Sequence, residues 1–418
     1  MKKINFLNLF EYILSLFLVI DVYSIWTRAN FISYSMQNII LITLLVVLIF
    51  ISIEKYSKYS MKNVMFILFI IIYLIIYVIF NNGDFKNYII KFVIILPLLT
   101  IYLFLQFKMK NKYSIIKKIS NIMLIISVTS LFFYVFGTTL AIIKPNEFIN
   151  IKWGMEKRIP SYFNLYYETQ KINILGFTIV RNTGIFTEAP MYVFLLIICL
   201  FEKVFIEKNR KKVLIIIVTI LTTFSTTGII LMSIILISNI VLNKSNTSIK
   251  KIIILPIAIF IGLVISANFL ISKYMESSYN INSSLNIRID DYRAGIKAWK
   301  DNPIFGSGYG NTEITNKYIS SSRNEYQTGT SSGIMVLIAQ GGIYISSIYI
   351  VFILLQIRYS FLYKDYKITI LSIVFIILLF VTNVAYRNIV LYFISLAFSH
   401  AICQNKQSND RRINFESK

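Results

Sequence analysis

Arginine and carboxylate side chains are concentrated in two polar segments of an otherwise apolar chain. The first segment, RNTGIFTEAP, carries Arg181 and Glu188 at the start of a hydrophobic run. The second, RIDDYRAGIKAWKD, carries Arg288, Asp291 and Arg293. A guanidinium group binds phosphate oxygens through two parallel hydrogen bonds, and a carboxylate at a membrane boundary is costly unless it pairs with a cation or takes part in chemistry. The segments therefore predict an anionic ligand, such as a lipid phosphate or diphosphate, and leave open whether Glu188 pairs or reacts.

The composition places these segments in a membrane protein. The chain has 418 residues, of which 56% are hydrophobic and 15% are charged, and its mean hydropathy is +0.69. Its apolar runs exceed the length of a helix in a soluble core, so we predict an all-α, polytopic integral membrane protein. The net charge of +23 comes mostly from short basic clusters between the apolar runs. That pattern is typical of cytoplasmic loops and argues against a nucleic acid partner.

Apolar runs near the length of a bilayer crossing predict about 12 transmembrane helices. The predicted spans start close to Leu7, Met36, Val64, Tyr88, Ile119, Gly184, Val213, Gly228, Ile252, Gly333, Ile368 and Asn388. The run from Val213 to Leu242 is too long for one ordinary span, and the small polar stretch TTFSTTG in its middle predicts a tight turn between two short spans.

The loops between the spans set the orientation. Basic loops such as EKYSKYSMK, KMKNKYSIIKK and EKNRKK alternate with the less basic TRANFISYSMQ, NNGDFKN and NVAYR. Because loops rich in lysine and arginine stay in the cytoplasm, both termini are predicted to be cytoplasmic. Because each span crosses the membrane once, this orientation places the two long polar segments, residues 144–183 and 272–332, and the TTFSTTG turn on the outer side.

This orientation divides the chain into six parts. They are residues 1–143 with spans 1–5, 144–183 as the first large outer loop, 184–271 with spans 6–9, 272–332 as the second large outer loop with an interfacial helix, 333–402 with spans 10–12, and 403–418 as a cytoplasmic tail. Both outer loops are unusually basic, and their cations include Lys297 and Arg323. Either these cations bind an anionic ligand, or they are solvated or paired with nearby carboxylates.

The stretch SSLNIRIDDYRAGIKAWKDNP predicts an amphipathic helix in the second outer loop. It has a serine at its start, Asn302 and Pro303 at its end, and an apolar stripe at helical spacing. The stripe consists of Leu285, Ile289, Tyr292, Ile296 and Trp299. Such a helix is expected to lie in the membrane interface, with cations at its edges. Those cations either grip a lipid diphosphate or simply extend into the headgroup region.

Three glycines alternate in the next stretch, NPIFGSGYGN. The pattern is similar to a phosphate-binding glycine loop, but no strand precedes it and no Walker lysine follows it. We therefore predict a compact turn, which presents backbone amides and Tyr309 or Asn311 to a ligand. Cys199 and Cys403 lie on different elements and predict neither a disulfide framework nor a metal cluster.

Four of these stretches together resemble one family. RNTGIFTEAP, TTFSTTG, RIDDYRAGIKAWKDNPIFGSGYGN and TGTSSGIMVLIAQGGI are similar, in that order, to the O-antigen polymerase and O-antigen ligase superfamily. The resemblance implies a metal-independent, inverting membrane glycosyltransferase without a cofactor. It implies undecaprenyl-diphosphate-linked oligosaccharides as substrates, membrane lipid as the surroundings, and a chain-length regulator as a further partner. The expected location is the outer face of the bacterial cytoplasmic (inner) membrane.

The resemblance also implies roles for individual residues. Arginines are expected to stabilise the charge of the departing lipid diphosphate, and the candidates are Arg181, Arg288 and Arg293. Candidate bases for the acceptor hydroxyl are Glu188, Asp291 and Glu325. Candidate substrate-binding residues are Lys297, Trp299, Tyr309, Asn311 and Arg323. No metal site is expected, because the adjacent Asp290 and Asp291 diverge on a helix.

One departure from the family pattern favours a polymerase. Ligases of this superfamily typically carry a histidine near the TGTSSG stretch, where this chain has Ser331 and Ser332. The only histidine, His400, lies near the predicted cytoplasmic end of the last span and is expected to be structural. The alternatives are an O-antigen ligase and, from another class, a flippase for lipid-linked oligosaccharides or a small-solute transporter. A transporter usually carries its polar groups near the middle of the membrane, in repeated halves that this sequence lacks.

Overall fold

The computed structural model describes residues 6–53, 61–80, 82–109, 111–153, 155–174, 177–242, 284–321, 323 and 329–416. The described chain is mostly helical, in agreement with the predicted class. The predicted span at Ile252 and the candidate base Glu325 lie outside the described residues.

The first part of the chain consists of apolar helices in sequence. They are α1 (Phe6–Ile20), α2 (Ile25–Arg28), α3 (Tyr34–Ile53), α4 (Met61–Phe80), α5 (Phe85–Tyr88), which continues through a π-helical segment (Ile89–Ile95) into α6 (Leu96–Lys108), and α7 (Ser114–Phe133), which continues as a π-helix (Tyr134–Thr139). Asp84 begins α5 because its side chain accepts a hydrogen bond from the Asn87 backbone N–H. Pro97 closely follows the π-helical segment, where the regular hydrogen-bond pattern of the α-helix is already interrupted.

The second part is also helical. Its helices are α8 (Ala189–Glu202) with a π-helical end (Lys203–Glu207), α9 (Arg210–Thr222), α10 (Thr226–Leu242), α11 (Ser284–Asp301), α12 (Glu313–Asn316), α13 (Gly333–Tyr363), α14 (Tyr366–Val381) and α15 (Asn388–Glu416). The predicted turn at TTFSTTG is present between α9 and α10. Helix α8 is enclosed by the others, and every residue from Met191 to Glu202 is buried.

The predicted number of about 12 spans is not confirmed by the described residues. Five described helices are long and apolar enough to cross a membrane, namely Tyr34–Ile53, Phe85–Lys108, Ser114–Thr139, Ala189–Glu207 and Gly333–Tyr363. Shorter apolar helices are Phe6–Ile20, Val64–Phe80, Thr226–Leu242, Tyr366–Val381 and Asn388–Ile402. The chain is therefore a membrane protein with several apolar helices.

The first large loop is not helical, so the all-α prediction is wrong in this region. It forms a three-stranded antiparallel sheet and a separate hairpin, with strands β1 (Glu147–Trp153), β2 (Met155–Tyr162), β3 (Tyr166–Tyr167), β4 (Lys171–Ile174) and β5 (Phe177–Val180). In β1, Phe148 is exposed and Ile151 is buried, which is the alternation of a half-buried strand. The strands contain no long apolar run, because each strand is short and only one of its faces is apolar.

The start of the sixth predicted span also needs correction. Helix α8 begins at Ala189 instead of Gly184. Gly184 has a φ of +56°, and Glu188 has an extended backbone at the N-cap. Pro190 follows in the first turn of the helix, where its missing N–H costs nothing. Glu188 therefore lies at the helix end and not one turn inside the span.

The loops meet at one end of the helices, which we call the loop end. There the Ile25 N–H donates to the Ile185 carbonyl (2.8 Å), and the Asp84 N–H donates to the Tyr309 carbonyl (2.6 Å). The Asn388 N–H, at the start of α15, donates to Asp21 Oδ2 (2.6 Å). Segments far apart in the chain thus form one polar layer over the apolar helices.

The opposite end carries separate polar contacts. Glu11 is buried and accepts hydrogen bonds from Tyr102, Gln106, Ser114 and Lys118. Four donors around one carboxylate satisfy the charge without a ligand. This group ties α1 to α6 and α7, and it is remote in sequence from the segments that carry the candidate site.

Candidate functional site

Arg181 is fixed by two neighbouring elements. Its Nε donates to the carbonyl of Thr223, in the turn between α9 and α10, at 2.8 Å. Its Nη1 donates to Gln170 Oε1 at 3.4 Å. A guanidinium group has five N–H donors in a rigid plane, so these two bonds set the orientation of the side chain and leave others for a ligand.

Gln170 connects Arg181 to the beginning of α8. Its Oε1 also accepts a hydrogen bond from the Ala189 backbone N–H at 2.9 Å. That N–H belongs to the first turn of the helix, where backbone donors have no partner within the helix. Glu188, the residue before Ala189, is half-buried at this point.

Arg288 approaches from the second large loop. It lies on α11 and donates from Nη1 to the Val381 carbonyl at 3.3 Å, while the Tyr292 hydroxyl donates to the Phe380 carbonyl at 2.7 Å. Both acceptors belong to the last turn of α14, whose carbonyls have no partner within the helix and attract cations. The amphipathic helix is thereby fixed across the end of α14.

Electrostatic interactions join Arg181, Glu188 and Arg288 in one group, which we call the Arg181 site. Burial lowers the pKa of Arg181 to about 10, while Glu188 raises it and Arg288 lowers it further. Burial also lowers the pKa of Arg288, and Glu188 is among the groups that oppose this shift. Two partly desolvated arginines in one electrostatic group favour an anionic ligand.

Asp291 lies on the buried face of α11 and is fully occupied by protein donors. It accepts hydrogen bonds from Arg323 Nη1 (2.7 Å), the Ser331 N–H (2.8 Å) and the Ser331 hydroxyl (2.6 Å). Arg323 Nη1 is also 3.7 Å from Asp290 Oδ2. The two aspartates therefore share one arginine instead of diverging completely.

Arg293 and Lys297 do not join the Arg181 site. Arg293 is exposed and pairs with Asp290 at 3.0 Å, and Lys297 is exposed to solvent. Together with Arg323, Arg293 lines an open cavity beside α11. The structure thus brings together three of the predicted residues and places these cations on another face of the helix.

Two residues of the apolar stripe of α11 are exposed. Ile289 is 59% exposed and Ile296 is 42% exposed, whereas the buried face consists of Asp291, Ala294, Gly295 and Ala298. A Cβ on Gly295 would lie 2.7 Å from the Cβ of Met335 in α13, so the small face allows close packing of the two helices. Trp299 donates from Nε1 to the Pro303 carbonyl at 3.0 Å. The exposed stripe leaves an apolar surface beside the Arg181 site.

The glycine loop packs against α13 through its backbone. Gly306, Gly308 and Gly310 all have positive φ, and the Gly308 N–H donates to the Gln340 carbonyl at 3.0 Å. The Gly310 N–H donates to Gln340 Oε1 at 3.0 Å. The loop lies where α13 is kinked at Gly342, which has a φ of +59°. The compact turn is confirmed. The Gly308 and Gly310 amides form hydrogen bonds with Gln340 and do not present their N–H groups to a ligand.

The side chains of the glycine loop are likewise in internal contacts. Tyr309 is buried and packs on the rings of Tyr386 and Phe92, with centroids 4.6 and 6.0 Å away. Asn311 donates from Nδ2 to the Ser307 carbonyl at 3.2 Å. Both residues therefore contribute to the shape of the loop end.

The loop end contains a second group of cations, which the sequence patterns do not predict. Arg28 and Arg387 lie over the same Tyr23 ring, at 4.8 and 3.6 Å from its centroid. Lys91 donates to the Tyr386 carbonyl at 2.9 Å, and Arg387 Nη1 lies 3.5 Å from Asp21 Oδ1. The sequence feature that indicates this group is Lys91, because an ionisable residue within an apolar run is costly unless it has a function or a partner.

Comparison with known proteins supports the resemblance to the polymerase and ligase superfamily. Residues 212–344, about a third of the chain, match the family model described as O-antigen ligase. The matched region runs from α9 to the kink of α13, so it includes Arg288 but not Arg181. None of the curated proteins matches the chain. The match supports a role within the O-antigen ligase and polymerase family.

Near the position where ligases typically carry a histidine, this chain has a serine that binds an aspartate. Ser331 is bound to Asp291 through both its backbone N–H and its hydroxyl. His400, the chain's only histidine, is buried, lies 3.1 Å from Gln356 Oε1 and stacks on Tyr359. These contacts agree with the structural role predicted for His400.

Proposed function

We propose that the protein is an O-antigen or capsule polysaccharide polymerase. It transfers a growing glycan from undecaprenyl diphosphate to a lipid-linked repeat unit at the outer face of the cytoplasmic membrane. The observation that carries the proposal is that Arg181 and Arg288, from two distant segments, are fixed by the Thr223 and Val381 carbonyls and both interact electrostatically with Glu188. The match to the O-antigen ligase family supports the same reaction type.

In this proposal the two arginines stabilise the departing diphosphate. The acceptor hydroxyl attacks the anomeric carbon on the face opposite the diphosphate, a new C–O bond forms, and the bond from the anomeric carbon to the phosphate oxygen breaks. The electron pair stays with the diphosphate, whose additional negative charge is met by Arg181 and Arg288. Attack from the opposite face inverts the configuration of the sugar.

Glu188 is the proposed base, which takes the proton of the acceptor hydroxyl. It is half-buried at the start of α8, and its carboxylate interacts electrostatically with both arginines. Asp291 is less suitable because Arg323 and Ser331 already occupy both of its oxygens. Glu188 also offsets part of the arginine charge before the substrate binds.

The polyprenyl chain is proposed to lie along the exposed stripe of α11. Ile289 and Ile296 face away from the protein, on the same helix that carries Arg288. An apolar surface beside a cationic group suits a ligand with an apolar tail and a diphosphate head. The open cavity lined by Arg293 and Arg323 provides polar groups for the saccharide.

Elongation by the purified protein tests this function. The protein, supplied with lipid-diphosphate repeat units in the presence of EDTA, is expected to lengthen them with inversion at the anomeric carbon, because arginines stabilise the leaving group. Loss of elongation with the chelator and recovery with magnesium would contradict the role given to the arginines. Movement of saccharide across a vesicle bilayer without a new glycosidic bond would instead identify a transporter.

An O-antigen ligase is the second candidate, favoured by the description of the matched family. The lipid-linked saccharides that accumulate in a deletion strain separate the two functions. A polymerase deletion leaves single repeats on the lipid, whereas a ligase deletion leaves full-length polymer there. The serines at the position of the ligase histidine favour the first outcome.

A further inference from the structure

We propose that Arg28, Lys91 and Arg387 form a second diphosphate site, which binds the lipid diphosphate of the acceptor. This inference rests on the proposed polymerase function, in which donor and acceptor each carry a polyprenyl diphosphate. The three residues come from α2, from the π-helical segment after α5 and from the residue before α15. We call them the Arg387 group.

Two guanidinium groups in the Arg387 group share the same aromatic surroundings. Arg387 is 3.6 Å from the Tyr23 ring centroid and 5.4 Å from that of Tyr34, and Arg28 is 4.8 and 5.6 Å from the same rings. The tyrosine faces fix the planes of both cations. Two like charges near the same rings repel each other, and an anion bound by both removes that repulsion.

Two carboxylates act on the Arg387 group, and both also bind other donors. Asp21 is buried, and its two oxygens contact Arg387 and the Asn388 N–H. Asp84 also acts on Lys91, but its side chain is exposed and binds Asn87. Among the ion pairs of the described residues, none includes Lys91, whose ammonium group donates to the Tyr386 carbonyl.

Two further features point to a ligand at this place. The Tyr386 hydroxyl is buried and has no hydrogen-bond partner within the described part of the chain. On the outer face of α3 and in the turn before it, the apolar side chains of Phe31, Met36 and Ile39 are exposed. A polar group without a partner is costly in a buried place, and an exposed apolar face on α3 suits the lipid tail of a ligand whose diphosphate binds the Arg387 group.

The Arg387 group and the Arg181 site lie on either side of one short segment. The Thr187 N–H donates to the Tyr23 carbonyl at 3.1 Å, and Glu188, which follows Thr187, belongs to the Arg181 site. In polymerisation the attacking hydroxyl and the acceptor diphosphate are at opposite ends of one repeat unit. Two separate diphosphate sites joined by this segment fit that requirement, with Glu188 near the donor.

The stoichiometry of lipid binding tests the proposal. The full chain in nanodiscs of phosphatidylcholine is titrated with radiolabelled undecaprenyl diphosphate that carries no sugar, and we expect two molecules per chain. The variant Arg28→Gln is expected to weaken one of the two sites about tenfold or more, and Arg181→Gln to weaken the other. Arg158→Gln is the matched control, because Arg158 also lies over an aromatic ring, that of Phe148, outside both groups.

Folding and ligand identity are checked in the same experiment. Arg28→Gln leaves the pair of Arg387 with Asp21 in place, so an unchanged thermal unfolding temperature is expected. Excess inorganic pyrophosphate should compete at both sites, whereas phosphatidylglycerol at the same excess should not. Competition by phosphatidylglycerol would identify a general headgroup site and overturn the proposal.

Binding and elongation separate the two proposals. One lipid diphosphate per wild-type chain, or two that persist unchanged in Arg28→Gln and Arg387→Gln, would overturn the second site. Two molecules bound without any elongation would contradict the polymerase function and leave the second site standing. In the elongation assay, Arg28→Gln should raise the KM for the acceptor repeat unit and leave that for the donor unchanged.

Discussion

At the scale of the residue, the orientation of Arg181 depends on groups with no charge. The Thr223 carbonyl and Gln170 Oε1 bind two nitrogens of its guanidinium plane. Gln170 Oε1 also accepts a hydrogen bond from the Ala189 backbone N–H at the start of α8. A lysine at this position has one nitrogen and cannot reproduce both bonds and a bidentate contact with phosphate.

Replacement of either arginine by lysine is therefore expected to be severe. Arg181→Lys and Arg288→Lys should each lower the elongation rate about a hundredfold, the typical effect of losing one donor to a developing anion. The measurement is the rate of polymer formation at equal protein abundance, with Arg158→Lys as the control. Wild-type rates in both variants would remove these arginines from the site.

At the scale of the element, the glycine loop and the kink of α13 determine each other. The loop runs so close to α13 and to the start of α5 that a Cβ on Gly308 would lie 2.4 Å from the Gly83 nitrogen, and one on Gly306 would lie 2.4 Å from the Gln340 carbonyl. The kink at Gly342 leaves space for this approach. The loop thereby links α11, which carries Arg288, to the helices of the core.

A comparison of two glycines distinguishes the stability lost through backbone conformation from the stability lost through close packing. Gly308 and Gly329 have nearly the same φ, +102° and +99°, but a Cβ on Gly329 would meet no atom of the described residues within 4 Å. Gly329→Ala should cost about 1–2 kcal/mol for the left-handed conformation. Gly308→Ala should cost about 1–3 kcal/mol more from steric overlap, seen as a lower thermal unfolding temperature. Equal losses in the two variants would show that the close approach does not matter.

At the scale of the whole molecule, the contacts place the two large loops, the TTFSTTG turn and the starts of α3, α5 and α15 at the same end of the helices. Arg181 contacts the turn, Arg288 contacts the end of α14, and Asp21 contacts the start of α15. Both cationic groups therefore lie at the same end of the helices. The basic loops between the spans predict that this end is on the outer side.

Introduced cysteines test this topology. In a background with Cys199→Ser and Cys403→Ser, we expect Lys157→Cys and Lys317→Cys to react with an impermeant thiol reagent in intact cells. Lys364→Cys, between α13 and α14, should react only after the membrane is opened. All three lysines are exposed to solvent, so accessibility depends on the side of the membrane and not on burial. Labelling of Lys364→Cys alone in intact cells would invert the topology and contradict the proposed reaction at the outer face.

The sequence by itself determined the helical membrane class, the turn at TTFSTTG and the segments that carry the arginines. Long apolar runs, small polar residues between them and basic clusters are local properties, and they act over distances of one span. The strands of the first loop were not found, because short half-buried strands produce no long apolar run. The start of α8 was misplaced because the apolar run begins before the residues that allow a helix to begin.

Only the tertiary structure decided which charges act together. Arg181 and Arg288 meet because α11 crosses the end of α14 while the first loop reaches the turn after α9, and no local pattern encodes that approach. The same packing paired Arg293 with Asp290, buried Asp291 against Arg323 and placed Arg28, Lys91 and Arg387 together. Charge interactions fall off with distance, so the chemistry of each side chain depends on neighbours that the order of residues does not specify.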